Sequence, residues 1–208
     1  MRSQNQPNIF VIGTGSTGKT TLVMALQDHY ANHADTRHNP GPVVIQEVAR
    51  DVIRELGIDR DLMVDSTQKC LELQSAILRA QHDAEMALRI AQTAYISDRS
   101  GLDPTAYTEL LVDKEASSQL LRSHEWRVLE ENMRTGLVFL CEAGCTWLED
   151  DGLRLMPKDE EDWHRFDRVF CNLLDARDIA YHVVLRDMTV EDRVSFVLEG
   201  VRRWRARV

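Results

Sequence analysis

Gly13-Thr14-Gly15-Ser16-Thr17-Gly18-Lys19-Thr20 is an unbroken match to the phosphate-loop pattern G-x-x-x-x-G-K-[ST]. The pattern carries meaning only between a strand and a helix, and the flanking residues supply both. Residues 8–12, Asn-Ile-Phe-Val-Ile, read as a short buried strand, and residues 21–30 read as a helix. Gly13, Gly15 and Gly18 admit backbone conformations closed to residues with a Cβ, so successive N–H groups can curl around an anion. Those donors open a helix, whose N-terminal partial charge favours phosphate further. The pattern sends Lys19 to the β and γ phosphates and the Thr20 hydroxyl to Mg2+. With Thr14, Ser16, Thr17 and Thr21 completing the loop, the expected ligand is a nucleoside triphosphate, ATP or GTP. A glycine-rich turn without the strand, lysine and threonine would signify only chain reversal.

Beyond the loop, residues 31–42 read as a connection and residues 43–46 as a second strand, with a helix over 47–56. Glu47 therefore falls at the carboxyl end of a strand, where open α/β sheets place ligands. It suits a general base, and equally an ion pair with Arg50 or a charge at a helix N-terminus. Residues 57–65 read as a charged, mobile connection. Ser66 caps a long helix to about residue 92, whose Cys70, Leu73, Ile77, Ala80, Ala84, Ala87 and Ala91 form a core stripe packed on the sheet.

Residues 93–97 give a third strand ending in Asp98-Arg99-Ser100. A carboxylate beside the phosphate-loop strand is placed to hold Mg2+, and Arg99 would aim a cation into the same crevice; a surface salt bridge is the plainer alternative. Asp103-Pro104 reads as an N-cap and a first helical position, opening a helix to Val112. One helix over 116–134 and a fourth strand over 136–141 follow. Residues 142–158 are too polar for core and too long for a plain turn, so they read as a lid bearing Arg154 and Lys158, with Arg165 just beyond. A helix over 159–177, a fifth strand over 180–185, and a last helix opened by the Thr189-x-x-Asp192 capping box complete the chain.

These 208 residues suit one α/β domain with a lid near 142–165, and strands alternating with helices imply a parallel sheet. A net charge of −9 argues against a broad nucleic-acid surface. No apolar run approaches the ~20 residues of a membrane helix, and residues 1–7 are too short and polar for a signal peptide, so a cytoplasmic location is expected. Cys70, Cys141, Cys145 and Cys171 have no zinc or redox spacing and read as reduced thiols.

Four stretches together resemble the small P-loop kinases, and most closely the AAA_28 family: the phosphate loop, Glu47-Val-Ala-Arg50, Ser97-Asp98-Arg99-Ser100 with Asp103-Pro104 and Tyr107, and Trp147 with Asp151-Gly152-Leu153-Arg154. The resemblance implies a five-stranded parallel sheet in order 2-3-1-4-5 with a lid after the fourth strand. It implies γ-phosphoryl transfer from ATP or GTP to a small-molecule, nucleoside-like hydroxyl. Lys19, Glu47, Asp98, Arg99 and Arg154 would be the catalytic set, and Thr20 and Asp98 the Mg2+ ligands. The alternative is a nucleotide-dependent switch with little or no kinase activity, which shares every phosphate-loop residue.

Overall fold

The computed structural model describes residues 6–33, 41–58, 60–144 and 160–207. Five parallel strands form one sheet: β1 (Ile9–Ile12), β2 (Val43–Ile45), β3 (Tyr95–Asp98), β4 (Leu137–Cys141) and β5 (Tyr181–Val184), in the order β2-β3-β1-β4-β5. Central β1 pairs on both sides, Val11 facing Asp98 of β3 and Phe139 of β4. Every side chain of β1 is fully buried, as a parallel strand covered on both faces requires.

Successive β1 side chains feed opposite layers. Ile9 and Val11 join α1 (Lys19–His33) and α9 (Val190–Arg205) through Leu22, Leu26, Val197 and Val201. Phe10 and Ile12 face a second core with α4 (Thr67–Ile90), α5 (Leu102–Leu111), α7 (His124–Thr135) and α8 (Glu160–Ala176), centred on Trp126, Leu129 and Phe170. A third cluster, including Val52, Met63, Leu73 and Ile77, joins α2 (Val48–Leu56), α3 (Arg60–Asp65) and α4. Ser66 and Thr189 cap α4 and α9 as expected, their hydroxyls accepting from the amides of Lys69 and Asp192. Cys70, Cys141 and Cys171 are free thiols.

Several local expectations change. The connection over 57–65 contains helix α3, held because Ile58 and Met63 are buried. The single helix expected over 116–134 is two, α6 (Lys114–Leu120) and α7, divided where the Ser123 hydroxyl accepts from the Trp126 amide at 3.1 Å. Ala87 and Ala91 of the expected α4 stripe are exposed, while Gln81 and Glu85 are buried. An apolar periodicity cannot anticipate that turn of the helix, because its buried face is polar and satisfied by partners elsewhere. α5 begins at Leu102, with Gly101 rather than Asp103 in the capping position. The expected lid residues Trp147, Arg154 and Lys158 lie outside the described residues.

Candidate active site

The phosphate loop joins the carboxyl end of β1 to the start of α1. Gly13 has φ +129°, and a Cβ there would lie 2.7 Å from the Cys141 carbonyl oxygen, so the loop crosses the end of β4 too closely for any side chain. Lys19 is only 5% exposed. Its Nζ donates to the Thr14 carbonyl and, at 3.2 Å, to Thr17 Oγ1. Burial lowers the Lys19 pKa, Arg99 lowers it further, and Asp103 and Asp98 pull it back, leaving it near about 8. The lysine is thus packed against its own loop, held by acceptors that an anion can replace.

Thr20, in the first turn of α1, donates to Asp98 Oδ2 at 2.6 Å. Asp98 is 1% exposed, and its Oδ1 is buried without a hydrogen-bond partner. A hydroxyl and a carboxylate side by side at the phosphate loop fit Mg2+, a hard cation that takes oxygen ligands and completes its shell from phosphates and water. Among the described residues, no group of three His, Cys, Asp or Glu side chains could hold a metal by itself.

At the end of β3 the chain turns sharply. Arg99 has φ +83°, rare outside glycine, and its amide donates to the Val11 carbonyl at 2.9 Å. This turn swings the guanidinium into a buried cluster. Its Nε donates to Glu47 Oε1 at 2.6 Å and its Nη1 to Asp103 Oδ1 at 3.2 Å, while Arg50 Nε holds Glu47 Oε2 at 2.8 Å. Asp103 Oδ2 accepts from the Ser100 amide at 2.8 Å. Burial works against the Arg99 charge, but Glu47, Tyr107 and Asp103 overcome it and hold Arg99 firmly protonated. Burial raises the Asp103 pKa, opposed by Arg99 and Lys19.

The cluster lines an open, mostly apolar pocket. Glu47, Arg99 and Asp103 line it with the Gln74 side chain, and its walls include Ile53, Met63, Ile77 and Tyr107. An apolar chamber with a few converging polar groups is the usual form of a small-molecule site.

Of the residues singled out from sequence, the phosphate loop, Asp98, Arg99 and Glu47 converge, whereas Arg154 lies outside the described residues. Three participants escaped the sequence. Asp103 is a buried partner of Arg99 rather than a cap; an acidic residue four positions after Arg99 was the available signal. Trp163 of α8 donates its indole N–H to Thr14 Oγ1 at 3.1 Å. Arg193 of α9 is 1% exposed and donates through Nη1 to the Thr17 carbonyl at 2.8 Å. A charged residue in register with the buried Val197 and Val201 of α9 was its only local sign.

The AAA_28 family model, described as an AAA domain, matches residues 8–193. Solved structures of similar fold include NadR in complex with NR, with TM-score 0.69 and 22% identity over 98% of this chain and 53% of that one. A deoxyadenosine kinase from M. mycoides with dCMP and dCDP bound has TM-score 0.63 and 12% identity, covering 94% of this chain and 98% of that one. Thymidylate kinase from Ehrlichia chaffeensis has TM-score 0.63 and 15% identity, covering 95% and 98%. This chain thus spans about half the length of the NadR chain, and nearly all of each of the two kinases. Sequence comparison with curated proteins gives no match.

Proposed function

The chain belongs to the AAA_28 family, and on that premise we propose that it is a small-molecule kinase that transfers the γ-phosphoryl group of ATP or GTP to the hydroxyl of an uncharged, nucleoside-like acceptor. The observation that carries this is the shared floor: Arg99 and Asp103 line the apolar pocket and also act electrostatically on Lys19. A nucleotide switch needs the phosphate loop but no adjoining apolar pocket floored by a buried cation and two carboxylates.

Phosphoryl transfer asks a protein chiefly for positioning and charge stabilisation. Lys19 leaves the Thr14 carbonyl for the phosphates, and Arg99 supplies a fixed cation beside them. Thr20 and Asp98 are the residues that would hold Mg2+, which supplies charge neutralisation on the transferring group. Glu47 faces the pocket and is assigned as acceptor for the hydroxyl proton, while Asp98, beside Thr20, serves the metal side. The cavity-lining cation Arg99 is matched by two carboxylates, Glu47 and Asp103. That balance favours a neutral acceptor over a phosphorylated one, and the Gln74 side chain supplies both donor and acceptor for a heterocycle.

The test is a panel of nucleosides, nucleoside monophosphates and simple polyols, each incubated with Mg-ATP or Mg-GTP while phosphorylated product and free phosphate are measured. Acceptor-dependent transfer well above hydrolysis, strongest with nucleosides, is expected. Triphosphate binding with no transfer to any acceptor would instead establish the switch.

A further inference from the structure

Arg193 is buried 176 residues away in sequence from the loop it touches. Its guanidinium donates to four backbone carbonyls: Thr17 at 2.8 Å, and Met188, Leu185 and Arg186 each at 3.2 Å. Three of these acceptors belong to the segment that leaves β5, and the fourth belongs to the phosphate loop. We propose that Arg193 is a positioning residue for triphosphate binding: by holding the Thr17 carbonyl outward it aims the Gly18 N–H inward at the phosphates, and it locks the loop to the β5–α9 connection.

The geometry of the peptide unit makes the link. In a planar trans peptide the C=O of one residue and the N–H of the next point in opposite directions. Pinning the Thr17 oxygen to Nη1 therefore directs the Gly18 N–H away from Arg193. Gly18 has φ +80°, so the chain reverses at that donor and enters α1 at Lys19. An unpinned Thr17–Gly18 peptide can rotate and present its carbonyl, a repulsive group, to an anion. A planar fork with five N–H donors can bridge four carbonyls from two segments; a lysine ammonium, with three donors at one point, cannot. The buried positive charge directly behind the loop adds attraction for a polyanion.

This inference rests on the phosphate-loop reading but not on phosphoryl transfer, because it is tested by binding. Tripolyphosphate and Mg-ATP are titrated calorimetrically into wild type, Arg193→Lys and Arg193→Met, with thermal midpoint and circular dichroism as controls for fold. Loss of charge-assisted hydrogen bonds should weaken tripolyphosphate binding by roughly 10- to 100-fold in both variants, with Arg193→Lys recovering little. A merely structural arginine would lower the thermal midpoint and leave the affinity of the folded fraction unchanged; that result overturns the proposal. If neither variant keeps the native fold, nitrogen–proton spectra of the wild type decide. The Gly18 amide and the Arg193 guanidinium should shift together as tripolyphosphate is added, and an Arg193 signal unmoved at saturation overturns the coupling. Wild type that binds no tripolyphosphate would instead defeat the phosphate-loop reading itself.

Discussion

Lys19 is poised to titrate in mildly alkaline solution. Burial and the Arg99 charge depress its pKa to about 8, below its ordinary 10.5, and a bound triphosphate would oppose both influences. Triphosphate binding between pH 8 and 9 should therefore take up protons. Titration calorimetry in buffers of different ionisation enthalpy reads the uptake directly, and binding without it at pH 8.5 refutes the coupling. Lys19→Ala should abolish measurable Mg-nucleotide binding. Asp103 tests the cavity floor: Asp103→Asn removes one of two charges balancing Arg99 and should lower kcat by about 10-fold or more while nucleotide affinity changes little. A steady-state comparison of kcat with nucleotide KM checks it. The placement of Lys19 and Thr20 was legible because the motif is local and its spacing fixes its geometry. The roles of Asp103, Trp163 and Arg193 were not, since each is defined by a partner that only the folded chain brings near.

The helices show where periodicity suffices and where it fails. α8 and α9 bury Phe166, Phe170, Leu173 and Leu174, and Val197 and Val201, as their spacing implies, while Trp163, Val194, Leu198 and Trp204 of the same stripes are half-buried. On α4 the rule breaks at Glu85, which is fully buried and accepts from Gln81 at 2.8 Å, Tyr95 at 2.7 Å and Asn132 at 2.8 Å. Gln81 also donates to Ser97, the neighbour of Asp98, so this network ties α4 and α7 to the strand that ends in Asp98. Glu85→Ala would leave three buried donors unmatched and should cost roughly 3–5 kcal/mol in chemical denaturation. Burial raises the Glu85 carboxyl above its ordinary 4.5, against the lowering effect of its three donors. The folded protein then holds that proton more tightly than the unfolded chain. Its contribution to stability is complete below about pH 4.5 and is lost as pH climbs through the folded value. Glu85→Gln should remove that decline, because the Gln81 carbonyl oxygen, buried and unpartnered, can accept from the new amide once Gln81 rotates. Denaturation midpoints from pH 4 to 8 that decline equally in both proteins would refute the assignment.

For the whole molecule, the five-strand order follows from residues that read as strands plus a resemblance, and the sheet bears it out. Strand identity was legible because short runs rich in apolar and β-branched residues, such as Ile9–Ile12 and Leu137–Cys141, have few other uses in an α/β chain. The extra helix α3 and the division between α6 and α7 were hidden, one by its charged sequence and the other by apolar spacing that runs through the break. No helix among the described residues is long and apolar enough to cross a membrane. Because the phosphate loop contacts α8 through Trp163 and α9 through Arg193, occupancy should stabilise the molecule globally. At 100 times Kd a ligand adds about 2.7 kcal/mol, which for a chain of this size should raise the thermal midpoint by roughly 5–10 °C. Scanning fluorimetry with saturating Mg-ATP should show this rise in wild type and none in Lys19→Ala; equal shifts in both would place the ligand elsewhere.

The indole of Trp163 rests on the Thr14 hydroxyl, in the same turn whose Thr14 carbonyl holds Lys19. The chain has thereby acquired an optical gauge of its own loading: emission from that ring should change colour or intensity as the cradle fills, and replacing Trp163 with phenylalanine should silence the signal while the other tryptophans glow on unchanged.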